Sequence, residues 1–200
     1  MKSNISLLVT GAAVAVVAAN YRAFPKKDPI STDGLPESYL IEAAGNRTDF
    51  QTNKECAAFS SAYVLRHLGV EADGNALYRK YPRKLLDGTV DPKGILVFFR
   101  QQGIEADFYR GTVETLKMRI SLGTPVIAFI KVHANKRYAH FSPIIGYHRD
   151  HFYLAESLEH KANDQGGMEK GYNRKLPIAE LESLWRTNPF YRQSYIVVSP

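Results

Sequence analysis

The strongest constraint on the fold of this chain is the order in which two hydrophobic rhythms appear along it. Between Cys56 and Leu122 apolar residues recur mainly at helical spacing, and from Pro125 onward they come mainly in short β-rich blocks. The run from Cys56 (CAAFSSAYVLRHLG) carries a wide apolar stripe through Ala57, Tyr63, Val64 and Leu68, with Gly69 as its stop. Cys56 is thereby placed at a helix N-terminus. Shorter helices are predicted over Asp73–Tyr81, over Lys93–Gln102 before Gly103, and over Thr112–Leu122 with Thr112 as cap and Gly123 as terminator. A weakly alternating strand, Ile104–Tyr109, separates the last two. Pro125–Val132 (PVIAFIKV) is almost continuously apolar, as a strand covered on both faces requires. Tyr138–Tyr147 and His151–Ala155, joined by the polar turn His148-Arg149-Asp150, predict a hairpin. A helix at Pro177–Arg186 and a strand at Ser194–Val198 complete the chain. Helices first and strands afterwards predict an α+β domain, its N-terminal helices packed on a mainly antiparallel sheet.

Two hundred residues suit one such domain, and 44% hydrophobic against 23% charged residues is the balance of a chain that folds. The N-terminus has a different character. After Lys2, residues 5–19 (ISLLVTGAAVAVVAA) are apolar apart from Thr10, the layout of a signal peptide or, if retained, of an N-terminal membrane anchor. The expected division is therefore 1–19 leader or anchor, 20–38 a Pro-rich linker, and 39–200 the folded domain, exported and secreted or held on the outer side of a membrane. The net charge of +6 favours encounter with acidic surfaces. Its basic clusters, Arg79–Lys84 and Lys131–Arg137, belong to no recognisable nucleic-acid module, so no nucleic-acid partner is expected.

A single cysteine excludes an internal disulfide and any multi-cysteine zinc site, which leaves Cys56 either buried or reactive. A thiol becomes nucleophilic where a helix N-terminus and a nearby imidazolium stabilise its thiolate. Of six histidines, His140 is the best placed, on a core strand just after a buried strand. Sixteen residues later, at the end of the return strand of the same hairpin, Glu156 can accept a hydrogen bond from that imidazole, or can be an ordinary solvated acid. Gln51, five residues before the cysteine, can add a side-chain amide to the Cys56 N–H as an oxyanion hole, or can be a polar loop residue. The four required residue types occur together, in the required order.

Other patterns carry less. His148 and His151 have metal-like spacing but fall in a turn without thiolates or an acidic cluster, so no metal and no cofactor is expected. The polar stretch 163–174 reads as a surface loop near the site mouth. Phe141, Tyr147, Tyr172 and Trp185 are candidates for groove walls or for core.

The segment Gln51–Cys56 leading into Ala62–Gly69, together with Gly123–Ile127, His140–Tyr147 and Tyr153–Ser157, resembles the papain-like cysteine peptidase family that includes the double-glycine leader peptidases of bacteriocin exporters, especially its free-standing bacterial members. The resemblance covers roughly 48–198. It implies a papain-like fold, Cys56 as nucleophile, His140 as general base and acid, Gln51 in the oxyanion hole, and Glu156 where the family orients the histidine. The sequence departs from the family at Ala57, where Gly is common, and at Glu156-Ser157, where Asp-Pro is usual. The function expected is that of a thiol hydrolase acting on a peptide or amide. An acyltransferase or a catalytically inactive peptide-binding domain on the same scaffold remains open, the last marked by a thiol beyond reach of His140.

Overall fold

The computed structural model describes residues 22–43 and 45–199; the apolar stretch 5–19, expected as leader or anchor, lies outside the described residues. Five α-helices and eight β-strands are found among the described residues. The helices are α1 (Cys56–His67), α2 (Gly74–Lys80), α3 (Pro92–Gln101), α4 (Val113–Ser121) and α5 (Ile178–Leu184). The strands are β1 (Lys26–Lys27), β2 (Ser38–Leu40), β3 (Glu105–Arg110), β4 (Val126–Lys131), β5 (Ala139–His148), β6 (His151–Leu154), β7 (Arg174–Pro177) and β8 (Ser194–Ser199). All eight strands form one sheet in the order β1-β3-β8-β4-β5-β6-β7, with β2 added to β5. Every pairing is antiparallel except β1 with β3. The expected α+β architecture is the one observed.

The sheet is covered on both faces, and β4 shows why its sequence is so apolar. Val126, Ala128 and Ile130 pack into a core with Leu116 and Ile120 of α4 and Leu181 and Leu184 of α5. The alternate residues Ile127 and Phe129 pack the other way, with Ala58, Ala62 and Leu65 of α1 and Ile95 and Phe99 of α3. Strand residues alternate between faces, so a strand buried on both must be apolar at every position. Helix α1 is enclosed all round: its residues from Ala57 to Leu65 are all buried, which explains a stripe wider than an amphipathic surface helix needs.

The helix ends follow the sequence signals. Asp73 and Asp91 accept from the backbone N–H of Ala76 (2.7 Å) and Gly94 (2.9 Å), and Thr112 with Thr115 forms a capping box. Helix α1 differs, because its N-cap, Glu55, makes no side-chain cap bond. Its positive end is left to the cleft described below.

The stretch 20–38, expected as a linker, is partly built into the domain. Lys26–Lys27 pairs with Tyr109–Arg110, and Ser38–Leu40 pairs with Gly146–His148. Between them the buried Asp28 takes Nε and Nη2 of Arg119 (2.9 and 2.6 Å) and the Tyr195 hydroxyl (2.6 Å). Sequence patterning passes over this attachment because two- and three-residue strands carry no periodicity and the buried carboxylate finds its partners far away in the chain.

Candidate active site

The local physics of each element sets one wall of a cleft of about 430 Å³. Cys56, the first residue of α1, is half-buried in it. His140, the second residue of β5, is 2% exposed and also lines it. The Ser60 hydroxyl of α1 donates to the Phe141 carbonyl of β5 (3.0 Å), fixing the helix against the strand one residue from the imidazole. The cleft is walled by residues of the 85–92 loop, among them Leu85, Asp87 and Val90, and by Arg137 and Tyr138 from the β4–β5 turn. Lys54 ties the segment before α1 to that loop through the Asp87 carbonyl (2.9 Å).

Behind His140 lies a fully buried carboxylate. Glu156, two residues beyond β6, places Oε1 2.6 Å from His140 Nε2. The Leu158 backbone N–H donates to the same oxygen (2.9 Å), and Arg174 Nη1 donates to Oε2 (2.9 Å). Asn173 grips the Glu156 backbone from both sides: its Oδ1 accepts from the Glu156 N–H (2.7 Å) and its Nδ2 donates to the Glu156 carbonyl (2.9 Å). With Nε2 bonded to Glu156, Nδ1 is the ring nitrogen left for the thiol, and Cys56 and His140 line the same cleft.

These contacts decide the charge of the pair. Burial opposes an imidazolium at His140, but the Glu156 carboxylate, with Cys56 nearby, outweighs it and holds the group well above the usual histidine range. Burial likewise opposes a charged Glu156, and His140, Arg174 and the Leu158 N–H outweigh it, holding the carboxyl below the usual range. The stable state at neutral pH is imidazolium facing carboxylate.

The Gln51 backbone N–H donates to the Ser157 carbonyl (2.9 Å), placing this residue beside the Glu156 strand end, and its side chain lines the cleft. The Ser157 hydroxyl donates to Gln51 Oε1 (2.7 Å), and Gln51 Nε2 donates to the Asn53 carbonyl. One of the two amide hydrogens is spoken for and the other is available. A serine where the family usually has proline is therefore in use: its hydroxyl fixes the amide so that nitrogen, not oxygen, is turned away from Ser157.

All four candidate residues are thus brought to one place, three lining the cleft and Glu156 buried behind His140. Of the candidate wall aromatics only Phe141 lines the cleft, while Tyr147, Tyr172 and Trp185 are core; Phe129, Tyr138 and Tyr191 join Phe141 instead. The stretch 163–174 is not simply a surface loop. It contains a 3-10 helix (Gln165–Lys170) and then dives inward, with Tyr172, Asn173 and Arg174 all buried. A buried glutamate demands a cation and donors, but nothing in the local sequence says which distant residues supply them. At the far end of β5, Asp150 stands with His148 and His151, their ligand atoms within 4.8 Å of one another; Asp150 Oδ1 and His151 Nδ1 share a hydrogen bond (2.9 Å).

Comparison with known proteins agrees with this geometry. Residues 47–188 match the family described as "Peptidase C39 family". Among solved structures, the peptidase domain of Streptococcus ComA, a bi-functional ABC transporter involved in a quorum sensing pathway, superposes with a TM-score of 0.60 at 15% identity, covering 78% of this chain and 98% of that one. A double glycine motif protease from an AMS/PCAT transporter, in complex with the leader peptide, gives 0.53 at 19% identity over 81% and 99%. Xylellain, a cysteine protease from Xylella fastidiosa, gives 0.56 at 12% identity over 88% and 91%. No curated protein matches the sequence. At such identities the structures speak for the papain-like fold, and the family match speaks for the chemistry.

Proposed function

The chain belongs to the peptidase C39 family, and from that premise we propose that this cysteine peptidase works through Cys56 as nucleophile, His140 as proton carrier, Glu156 as the group that orients His140, and Gln51 as an oxyanion donor. The observation that carries the assignment is that Cys56 and His140 line one cleft, with His140 bonded to the buried Glu156 behind it.

In the first half-reaction Cys56 Sγ forms a bond to the scissile carbonyl carbon, and the electron pair moves onto oxygen. The Gln51 amide and the Cys56 N–H, at the positive end of α1, stabilise that oxyanion. The C–N bond then breaks as His140 hands its proton to the leaving amine, leaving a thioester. Water adds to the thioester while His140 takes its proton, the C–S bond breaks, and the acid product leaves with Cys56 restored.

The test is turnover of a peptide series by mass spectrometry. A solved relative is described as a double glycine motif protease bound to a leader peptide, so peptides containing Gly-Gly are the first to try. Cys56→Ala is expected to abolish cleavage, and equal turnover by wild type and variant would overturn the assignment.

Export or membrane anchoring is part of the same proposal and rests on the layout of Lys2 and residues 5–19. No helix among the described residues is long and apolar enough to cross a membrane. Cell fractionation with N-terminal sequencing of the product decides between cleavage after Ala19 and retention.

A further inference from the structure

The row does not stop at Glu156. Arg174, on β7, is 5% exposed, and its Nη1 holds Glu156 Oε2 at 2.9 Å, the oxygen that His140 does not use. Its Nη2 reaches Glu180 Oε1 of α5 at 3.4 Å, a half-exposed carboxylate at the surface. Asn173 independently fixes the Glu156 backbone, so the remaining freedom of Glu156 lies in its carboxylate, and that is what the guanidinium grips.

We propose that Arg174 is a positioning residue of the thiol chemistry: its fork holds the Glu156 carboxylate ionised and turned toward His140, and so sets the pH range over which Cys56 reacts. This rests on the assignment of Cys56 and His140 made above. The charged groups facing one another in the row are Cys56 from α1, His140 from β5, Glu156 after β6, Arg174 from β7 and, at the rim, Glu180 from α5. As thiolate, imidazolium, carboxylate and guanidinium, the inner four sum to zero. The buried part of this row is tolerated because His140, Glu156 and Arg174 are each bonded to an opposite charge. Removing the cation leaves one uncompensated negative charge in dry surroundings, and every group in the row then binds protons more readily. Lysine keeps the charge but has no fork to span Glu156 and Glu180 together.

The experiment is the pH dependence of Cys56 alkylation by iodoacetamide in the full chain, for wild type, His140→Ala, Arg174→Gln and Arg174→Lys, with thermal unfolding of each. Arg174→Gln is expected to move the acidic midpoint of the profile upward by about one pH unit, a rate about tenfold lower on that limb. Loss of packing alone would lower the melting temperature without moving the midpoint. A folded Arg174→Gln protein whose profile overlies wild type overturns the proposal. Arg174→Lys keeps the buried pair charged and serves where the glutamine variant does not fold. It is expected to keep the wild-type midpoint and react several-fold more slowly at the plateau, and wild-type rates at every pH overturn the positioning role. If wild type reacts no faster near neutral pH than His140→Ala, the thiol–imidazole assignment itself falls and takes this proposal with it. An activated wild type with unaltered Arg174 variants sinks the proposal alone.

Discussion

Ser157 shows how a departure from a family pattern finds its use in a single hydrogen bond. Its hydroxyl settles which way the Gln51 amide points. With Ser157→Ala the amide loses its only side-chain anchor among the described contacts to Oε1, and a several-fold fall in turnover is expected, by way of kcat. Gln51→Ala removes the proposed oxyanion donor and is expected to cost about a hundredfold. Steady-state kinetics on one peptide check both, and a Ser157 effect confined to KM would contradict this account. The four central residues were legible in sequence because chemistry restricts their types and the ends of elements restrict their places. Arg174 and Asn173 were not, because a buried acid announces that it needs partners without naming them.

At the scale of the element, the site depends on one helix lying at the right height on one strand. Ser60 provides the register mark, donating to Phe141 O beside His140 while the apolar faces of α1 and β5 supply the adhesion. Ser60→Ala leaves a buried carbonyl without that donor and is expected to destabilise the fold by about 1–2 kcal/mol. Denaturant unfolding measures it, and the same variant should alkylate Cys56 more slowly in the folded state. The helices were legible through their caps and glycine stops, and β4 through its unbroken apolar run. The short strands β1, β2 and β7 were not, because they owe their existence to neighbours: β7 begins at Arg174, where the chain turns in toward Glu156.

For the molecule as a whole, the buried Asp28 closes the sheet's far edge onto α4 and β8. Burial alone would raise its carboxyl, but Arg119 and Tyr195 bond the anion and hold it below the ordinary value of 3.8. A depressed carboxylate contributes stability that is complete above its unfolded value and fades as pH drops toward the folded one. Asp28→Asn strands the Arg119 charge and is expected to cost several kcal/mol at neutral pH. The gap in melting temperature between wild type and Asp28→Asn should be constant above about pH 4 and narrow below it; a gap independent of pH would refute the ion-pair account. The α+β class followed from the order of periodicities, whereas the joining of residues 26–40 to the body depends on a tertiary clamp that only folding assembles.

That clamp also limits reach. With Lys26 already paired to Tyr109, six residues, 20–25, lie between the sheet and the proposed leader or anchor that ends at residue 19. Fully extended, six residues span about 20 Å. On the proposal that residues 5–19 are retained as an anchor, the domain would be moored on a short line, its cleft kept within a short distance of the membrane, and a substrate would come to the enzyme rather than be sought by it.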